Sequence, residues 1–238
     1  MNIYATKPIQ DWVRGNSYVG RGIVLGCTPA GRAVAAYFIM GRSQNSRNRV
    51  FALRDGSLFT EPFDASKVQD PSLIIYAAVR RVGSRLVVTN GDQTDTVAEG
   101  LKAGKGFAES LATREFEPDA PNFTPRISGM LTYGETGFAY DMSILKSADA
   151  EGSACSRYTF SYPALKGVGH FIHTYVCDGS PIPTFQGEPE RVAMVEDIDA
   201  FTSALWENLD EDNRISLYVR ISDADGSNAE ERLINKNQ

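Results

Sequence analysis

No stretch of this chain is apolar for long enough to cross a bilayer. Its opening residues, Met1-Asn2-Ile3-Tyr4-Ala5-Thr6-Lys7-Pro8, also lack the hydrophobic centre of a signal peptide. Both absences predict a cytoplasmic protein. Cysteine is scarce: Cys27, Cys155 and Cys177 form an odd set with no Cys-x-x-Cys pair, which argues for reduced thiols and against a disulfide framework. All three are expected to behave as small buried hydrophobes. Histidine is scarcer still, and His170 and His173, three apart in an expected strand, would face opposite sides, which argues against a shared metal ion. Positive charge is in deficit as well. A formal net charge of −6 excludes a broad basic face for duplex nucleic acid or an anionic membrane, so any cationic site must be local. Repeats, a Pro-rich linker and a sharp change of composition are all missing, so residues 1–238 are expected to form one domain, with the last fifteen or so frayed.

What remains is an ordinary globular composition, 42% hydrophobic and 23% charged. Two apolar runs, residues 22–27 and 33–40, are split by Pro29-Ala30-Gly31 and read as a hairpin buried on both faces. Residues 73–80 and 86–89 form a second strand pair around Gly83-Ser84. Thr96 with Glu99 has capping-box spacing, and Val97, Leu101, Phe107 and Leu111 fit short helices broken near 103–106. Residues 126–131 and 137–145 look like a further hairpin, and 156–162 and 168–176 like two more strands. Val195, Ile198, Phe201, Leu205 and Leu209 predict an amphipathic helix over 191–209, followed by a strand over 215–221. Paired strands with interspersed helices point to an α+β fold of stacked, mainly antiparallel sheets covered by helices.

Three segments carry candidate chemistry. Residues 41–49 place Arg42, Arg47 and Arg49 among Ser43, Asn45 and Asn48, with no acid between them. Such a set offers donors for phosphate and partners for a polar heterocycle. The plainer alternative is a solvated turn whose arginines pair with distant carboxylates, each pair contributing ~0–1 kcal/mol. Next, Asn90-Gly91-Asp92-Gln93-Thr94-Asp95-Thr96 joins a strand to a helix. It could receive an anion, orient a ribose or take a proton, or simply make the turn and cap the helix. Last, Pro118, Pro121 and Pro125 stiffen a loop in which Thr124 and Arg126 stand at the mouth of a strand. Arg126 there is either functional or a structural ion-pair partner.

With Tyr18-Val19-Gly20-Arg21, these segments resemble the archaeal-type IMP cyclohydrolase family. The matching pieces are Tyr-x-Gly-Arg at 18–21, Arg-Ser followed by Asn-Arg within 42–49, Tyr76, Asn-Gly-x-x-Thr-Asp at 90–95 and Thr-Pro-Arg-Ile at 124–127. The similarity covers roughly residues 16–145. Gln93 stands where the family pattern suggests histidine, and the stretch between Arg42 and Arg49 is longer than the family's.

The resemblance implies ring closure of 5-formamidoimidazole-4-carboxamide ribonucleotide to IMP with loss of water, the last step of de novo purine synthesis. It also implies a four-layered α-β-β-α sandwich of the Ntn-hydrolase type, with neither metal nor organic cofactor. The expected partner is a small purine ribotide; no nucleic acid or membrane is expected, and a homo-oligomer is permitted. By the same resemblance Arg42, Ser43, Asn45, Arg47, Asn48 and Arg49 would bind phosphate or ribose. Arg21 and Arg126 would meet the carboxamide or developing oxyanion, and Tyr76 and Asp95 would carry protons. Asn90, Asp92, Thr94 and Thr124 would orient the ribotide. Glu117 is an alternative acid or base, its plainer reading being a solvated loop carboxylate. Two competing functions stand beside this one: an Ntn-type amidohydrolase using Cys27 or Ser17 as nucleophile, and a purine-nucleotide-binding protein without turnover.

Overall fold

The computed structural model describes residues 2–68 and 75–237. Thirteen strands among them form two antiparallel sheets. The first sheet has six strands: β1 (Arg21–Cys27), β2 (Ala33–Met40), β10 (Val168–His173), β11 (Glu190–Ala193), β12 (Arg214–Ser222) and β13 (Glu230–Asn235). Their order is β11-β10-β1-β2-β12-β13. The second sheet is a seven-stranded meander in which chain order and spatial order coincide. It runs through β3 (Arg49–Arg54), β4 (Ser57–Pro62), β5 (Tyr76–Val82), β6 (Arg85–Thr89), β7 (Arg126–Gly134), β8 (Gly137–Ser147) and β9 (Cys155–Pro163).

The unbroken apolar runs of β1 and β2 follow from their place at the centre of the first sheet, where both faces are covered. Ile23, Leu25, Ala35, Tyr37 and Ile39 face the second sheet and share a core with Leu58, Ala78, Val88, Ile127 and Ile144. Val24, Val34, Ala36 and Phe38 face outward and pack under α1 (Gln10–Val13) and α5 (Ile198–Trp206). On the outer face of the second sheet, Val87 and Met130 pack against Val97, Leu101 and Phe107 of α3 (Gln93–Lys102) and α4 (Phe107–Ser110). Gly129 lies where the sheets approach closely, since a Cβ there would stand 2.8 Å from Leu25 Cδ1.

Several expectations need correction. The helix expected over 191–209 begins only at Ile198, with Asp197 as its N-cap accepting the Ala200 N–H at 2.9 Å. Upstream, Val192 and Met194 are buried in two-residue alternation, and β11 pairs with β10. The supposedly frayed tail instead forms β13, an edge strand against β12, whose polarity suits a sheet edge. Thr96 starts no helix: α3 begins at Gln93, and its N-cap Asp92 gives the helix no side-chain bond because its carboxylate is taken by arginines. Of the cysteines only Cys27 is buried, while Cys155 is half-buried and Cys177 exposed. The strand expected from residue 73 begins at Tyr76, residues 73 and 74 lying outside those described. Among the described residues no helix is long and apolar enough to cross a membrane.

Candidate active site

The starts of β1 and β3, the link after β2, the loop before β7 and the segment after β10 line a polar cavity of about 240 Å³. Gly20 delivers Arg21 into it. Its φ of +78° is a left-handed conformation open to glycine, and a Cβ there would lie 2.1 Å from Thr174 Oγ1. Arg49 enters from the start of β3, held by the tail: Asn235 bonds Phe51 N and O at 2.8 and 3.0 Å, and Asn237 Nδ2 donates to Arg49 O at 3.3 Å. Arg42, Ser43 and Asn45 come from the link between β2 and β3, which contains the one-turn helix α2 (Gln44–Arg47). Glu117, Asp119 and Thr124 come from the loop before β7, and Tyr175 from the loop after β10.

The electrostatics of this cavity are uneven. Arg21 and Arg49 are 8% and 5% exposed. The Nε of each is buried without a hydrogen-bond partner, and neither guanidinium enters an ion pair among the described residues. Burial, and then the positive charge of Arg21, push the Arg49 pKa down. Burial also disfavours charge on Arg21, but Tyr18, Glu117, Tyr175 and Tyr76 outweigh it and raise its pKa. Glu117 is raised, chiefly by burial and secondarily by Asp119, while Arg21, Arg126 and Arg49 pull it back. Arg42 is different. It pairs with Asp178, donates to Gly179 O at 3.0 Å and lies over the Tyr18 ring.

Of the residues singled out from sequence, the cavity gathers Arg21, Arg42, Ser43, Asn45, Arg49, Glu117 and Thr124. The others lie outside its lining. Arg47 donates to Gly41 O at 3.1 Å and Asn213 Oδ1 at 2.9 Å, while Asn48 bonds Asp64 N and O at 2.7 and 2.8 Å. Asn90 accepts from Ile127 N and donates to Pro125 O, both at 2.9 Å, fixing the start of β7. Gln93 donates to Asn90 and Ile127 O and accepts from Arg126 Nη1 at 2.8 Å. Asp92 holds Arg114 and Arg126. Thr94 is buried against Thr89 at 2.7 Å, and Tyr76 Oη lies 2.9 Å from Tyr37 Oη. Asp95 pairs with Arg80 on the solvent side of α3 at 2.7 Å.

Sequence reasoning missed the cavity roles of Asp119, Asn122, Tyr175 and Ile182, which line the cavity together with Glu117. The prolines around 118–125 marked a shaped loop, but nothing local marked residues 175 and 182. The alternative nucleophile Cys27 lies inside β1, and burial pushes its thiol pKa up, opposite to what an activated thiolate needs.

The family model for "IMP cyclohydrolase-like protein" matches residues 18–226, a span that includes all the lining residues of this cavity. The chain belongs to the IMP cyclohydrolase-like family. Similar relatives named IMP cyclohydrolase occur in methanogens. The Methanopyrus kandleri protein is 34% identical over 152 residues, covering 59% of this chain and 75% of the relative. The Methanococcus maripaludis protein is 32% identical over 163 residues, covering 65% and 79%. The Methanocaldococcus jannaschii protein is 33% identical over 125 residues, covering 52% and 61%. For this member of the IMP cyclohydrolase-like family, the relatives supply the name of a reaction and the cavity supplies the residues to assign to it.

Proposed function

We propose that this chain closes the ring of 5-formamidoimidazole-4-carboxamide ribonucleotide to give IMP and water. The observation that carries the reading is the pair of buried arginines, Arg21 and Arg49, held in one cavity with their Nε groups unpartnered among the described residues. Glu117 offsets only part of their two charges, a buried charge that is not fully compensated costs roughly several kcal/mol, and the remaining positive charge suits a phosphate. Ser43 and Asn45 then flank the ribose.

The chemistry needs little beyond this. The carboxamide nitrogen adds to the formyl carbon, a C–N bond forms, and the former carbonyl oxygen leaves as water with one proton from that nitrogen and one from the formamido nitrogen, whose bond to the same carbon becomes double as the C–O bond breaks. Both reacting groups sit on one imidazole ring, so holding them in the reactive conformer lowers the barrier entropically. Glu117, its pKa raised by burial, takes the nitrogen's proton and returns it to the departing oxygen. Arg126, fixed by Asp92 and Gln93, favours the charged form of Glu117. The stacked sheets with helices on both outer faces fit a four-layered Ntn-hydrolase-like sandwich forming one domain around the shared core.

The direct test is to incubate the pure protein with the formamido ribotide and follow the ultraviolet absorbance of IMP. IMP formed no faster than in buffer would sink the proposal. Tight binding of IMP without ring closure would instead assign a nucleotide-binding protein. Glu117→Gln should lower turnover by about 10²- to 10⁴-fold with the cavity intact.

A further inference from the structure

The loop before β7 carries a chain of hydrogen bonds that runs one way. Asp119 accepts the Thr124 N–H on one oxygen at 2.6 Å and the Thr124 hydroxyl on the other. A carboxylate only accepts, and a threonine hydroxyl has a single hydrogen to give. Thr124 Oγ1 has therefore committed its hydrogen to Asp119 and must accept from Tyr175 Oη, 2.6 Å away. The Tyr175 hydrogen is committed in turn, and its oxygen keeps only lone pairs. All three residues line the cavity, and Tyr175 and Thr124 are 2% and 3% exposed, so solvent competes little for that oxygen.

We propose that Tyr175 is a specificity-determining acceptor whose oxygen takes a donor hydrogen of the ribotide, with Asp119 and Thr124 as positioning residues that fix its polarity. The donor is a ribose hydroxyl or a hydrogen on a ring nitrogen. This rests on the reading of the cavity as a ribotide site. It explains why a cavity built for an anion also holds Asp119: the carboxylate sets the direction of a hydrogen bond at the cost of some attraction for phosphate.

An isosteric change reverses that direction. In Asp119→Asn the Thr124 N–H still needs an acceptor, so the amide oxygen stays on it and the amide NH₂ faces Thr124 Oγ1. The threonine then accepts from the amide and donates to Tyr175, which points its own hydrogen at the ligand. Shape is retained and polarity inverted.

Calorimetric titration of the full chain tests this, using IMP, 2′-deoxy-IMP and inorganic phosphate against wild type, Tyr175→Phe, Asp119→Asn and the double variant. Tyr175→Phe should weaken IMP by about 3- to 10-fold while leaving phosphate unchanged. Asp119→Asn should weaken IMP relative to phosphate by a similar factor, although it removes a negative charge. The double variant should show no further loss of that ratio beyond Tyr175→Phe. If 2′-deoxy-IMP is indifferent to Tyr175→Phe, the donor is the 2′-hydroxyl; if it remains sensitive, the donor is elsewhere on the ribotide.

Equal binding of IMP by wild type and Tyr175→Phe overturns the assignment of Tyr175. Additive losses in the double variant overturn the relay. Wild type that binds phosphate but not IMP overturns the ribotide reading itself, together with this inference. Should Tyr175→Phe fail to fold, Asp119→Asn carries the test, since it alters no volume.

Discussion

The Asp92 cluster and the Arg21–Arg49 cavity use the same residue types in opposite ways. Around Asp92 the acid takes both Arg114 and Arg126, Arg126 also donates to Gln93, and Gln93 is in turn bonded to Asn90. That network has spent its bonding capacity on the start of β7. In the cavity, two arginines are buried with Nε unpartnered among the described residues, and burial and then the charge of Arg21 depress the pKa of Arg49. A charge met inside the protein is architecture, whereas a buried charge left unmet is free to bind.

Replacement of a cavity arginine should break this contrast with the largest effect. Arg49→Met removes a buried charge that burial and Arg21 disfavour, so the melting temperature should hold or rise, by the equivalent of about 1 kcal/mol. Ring-closing kcat/KM should meanwhile fall by about 10²- to 10³-fold, the loss expected when a buried charged ligand partner disappears. A variant that is destabilised yet fully active would show that Arg49 is structural.

Forcing charge into the interior elsewhere sharpens the same point. His170 and His173 are 3% and 8% exposed, and burial lowers each pKa to about 4. A depressed folded-state pKa means that the unfolded chain binds protons first. The stability is therefore complete above about pH 6.5 and is lost as pH falls toward about 4, on the order of 3 kcal/mol for each histidine. Denaturant unfolding at pH 7 and 4.5 should show the loss, and His173→Asn should remove part of it.

Smaller effects are expected outside the cavity. Asp92→Ala frees two arginines, but the acid is half exposed, so about 1 kcal/mol of stability should go. Asp95→Ala breaks an exposed pair with Arg80 and should alter stability by less than about 0.5 kcal/mol and turnover hardly at all. A large loss of turnover there would move the chemistry from the Glu117 side of β7 to the surface of α3.

Most central strands were legible because their residues report burial directly. From Gly22 onward β1, and β2 throughout, are apolar as two covered faces demand, and the turn at Gly83-Ser84 names its own hairpin. β3, β4, β11 and β13 were not legible. They are polar or short and lie at or near sheet edges, where neighbouring strands supply the bonding that local pattern does not advertise. The site divided similarly. Arg21, Arg49 and Thr124 stood out through their motifs, but Tyr175 reaches the cavity from a loop 51 residues beyond Thr124 and carries no local mark.

By itself, the sequence determined that positive charge must be concentrated, and where: an acidic chain with three arginines and no acid in residues 42–49 has a local cationic segment whatever its fold. Its apolar runs, periodicity and turns pointed to stacked, mainly antiparallel sheets with helices against them. Which arginine binds was decided only by tertiary structure. Arg42 meets Asp178, Arg47 meets Asn213, and Arg49 shares the cavity with Arg21 and Glu117 and forms no ion pair among the described residues. A side chain is free to bind only when every distant group that could satisfy it has been placed elsewhere, and that is a property of the whole fold.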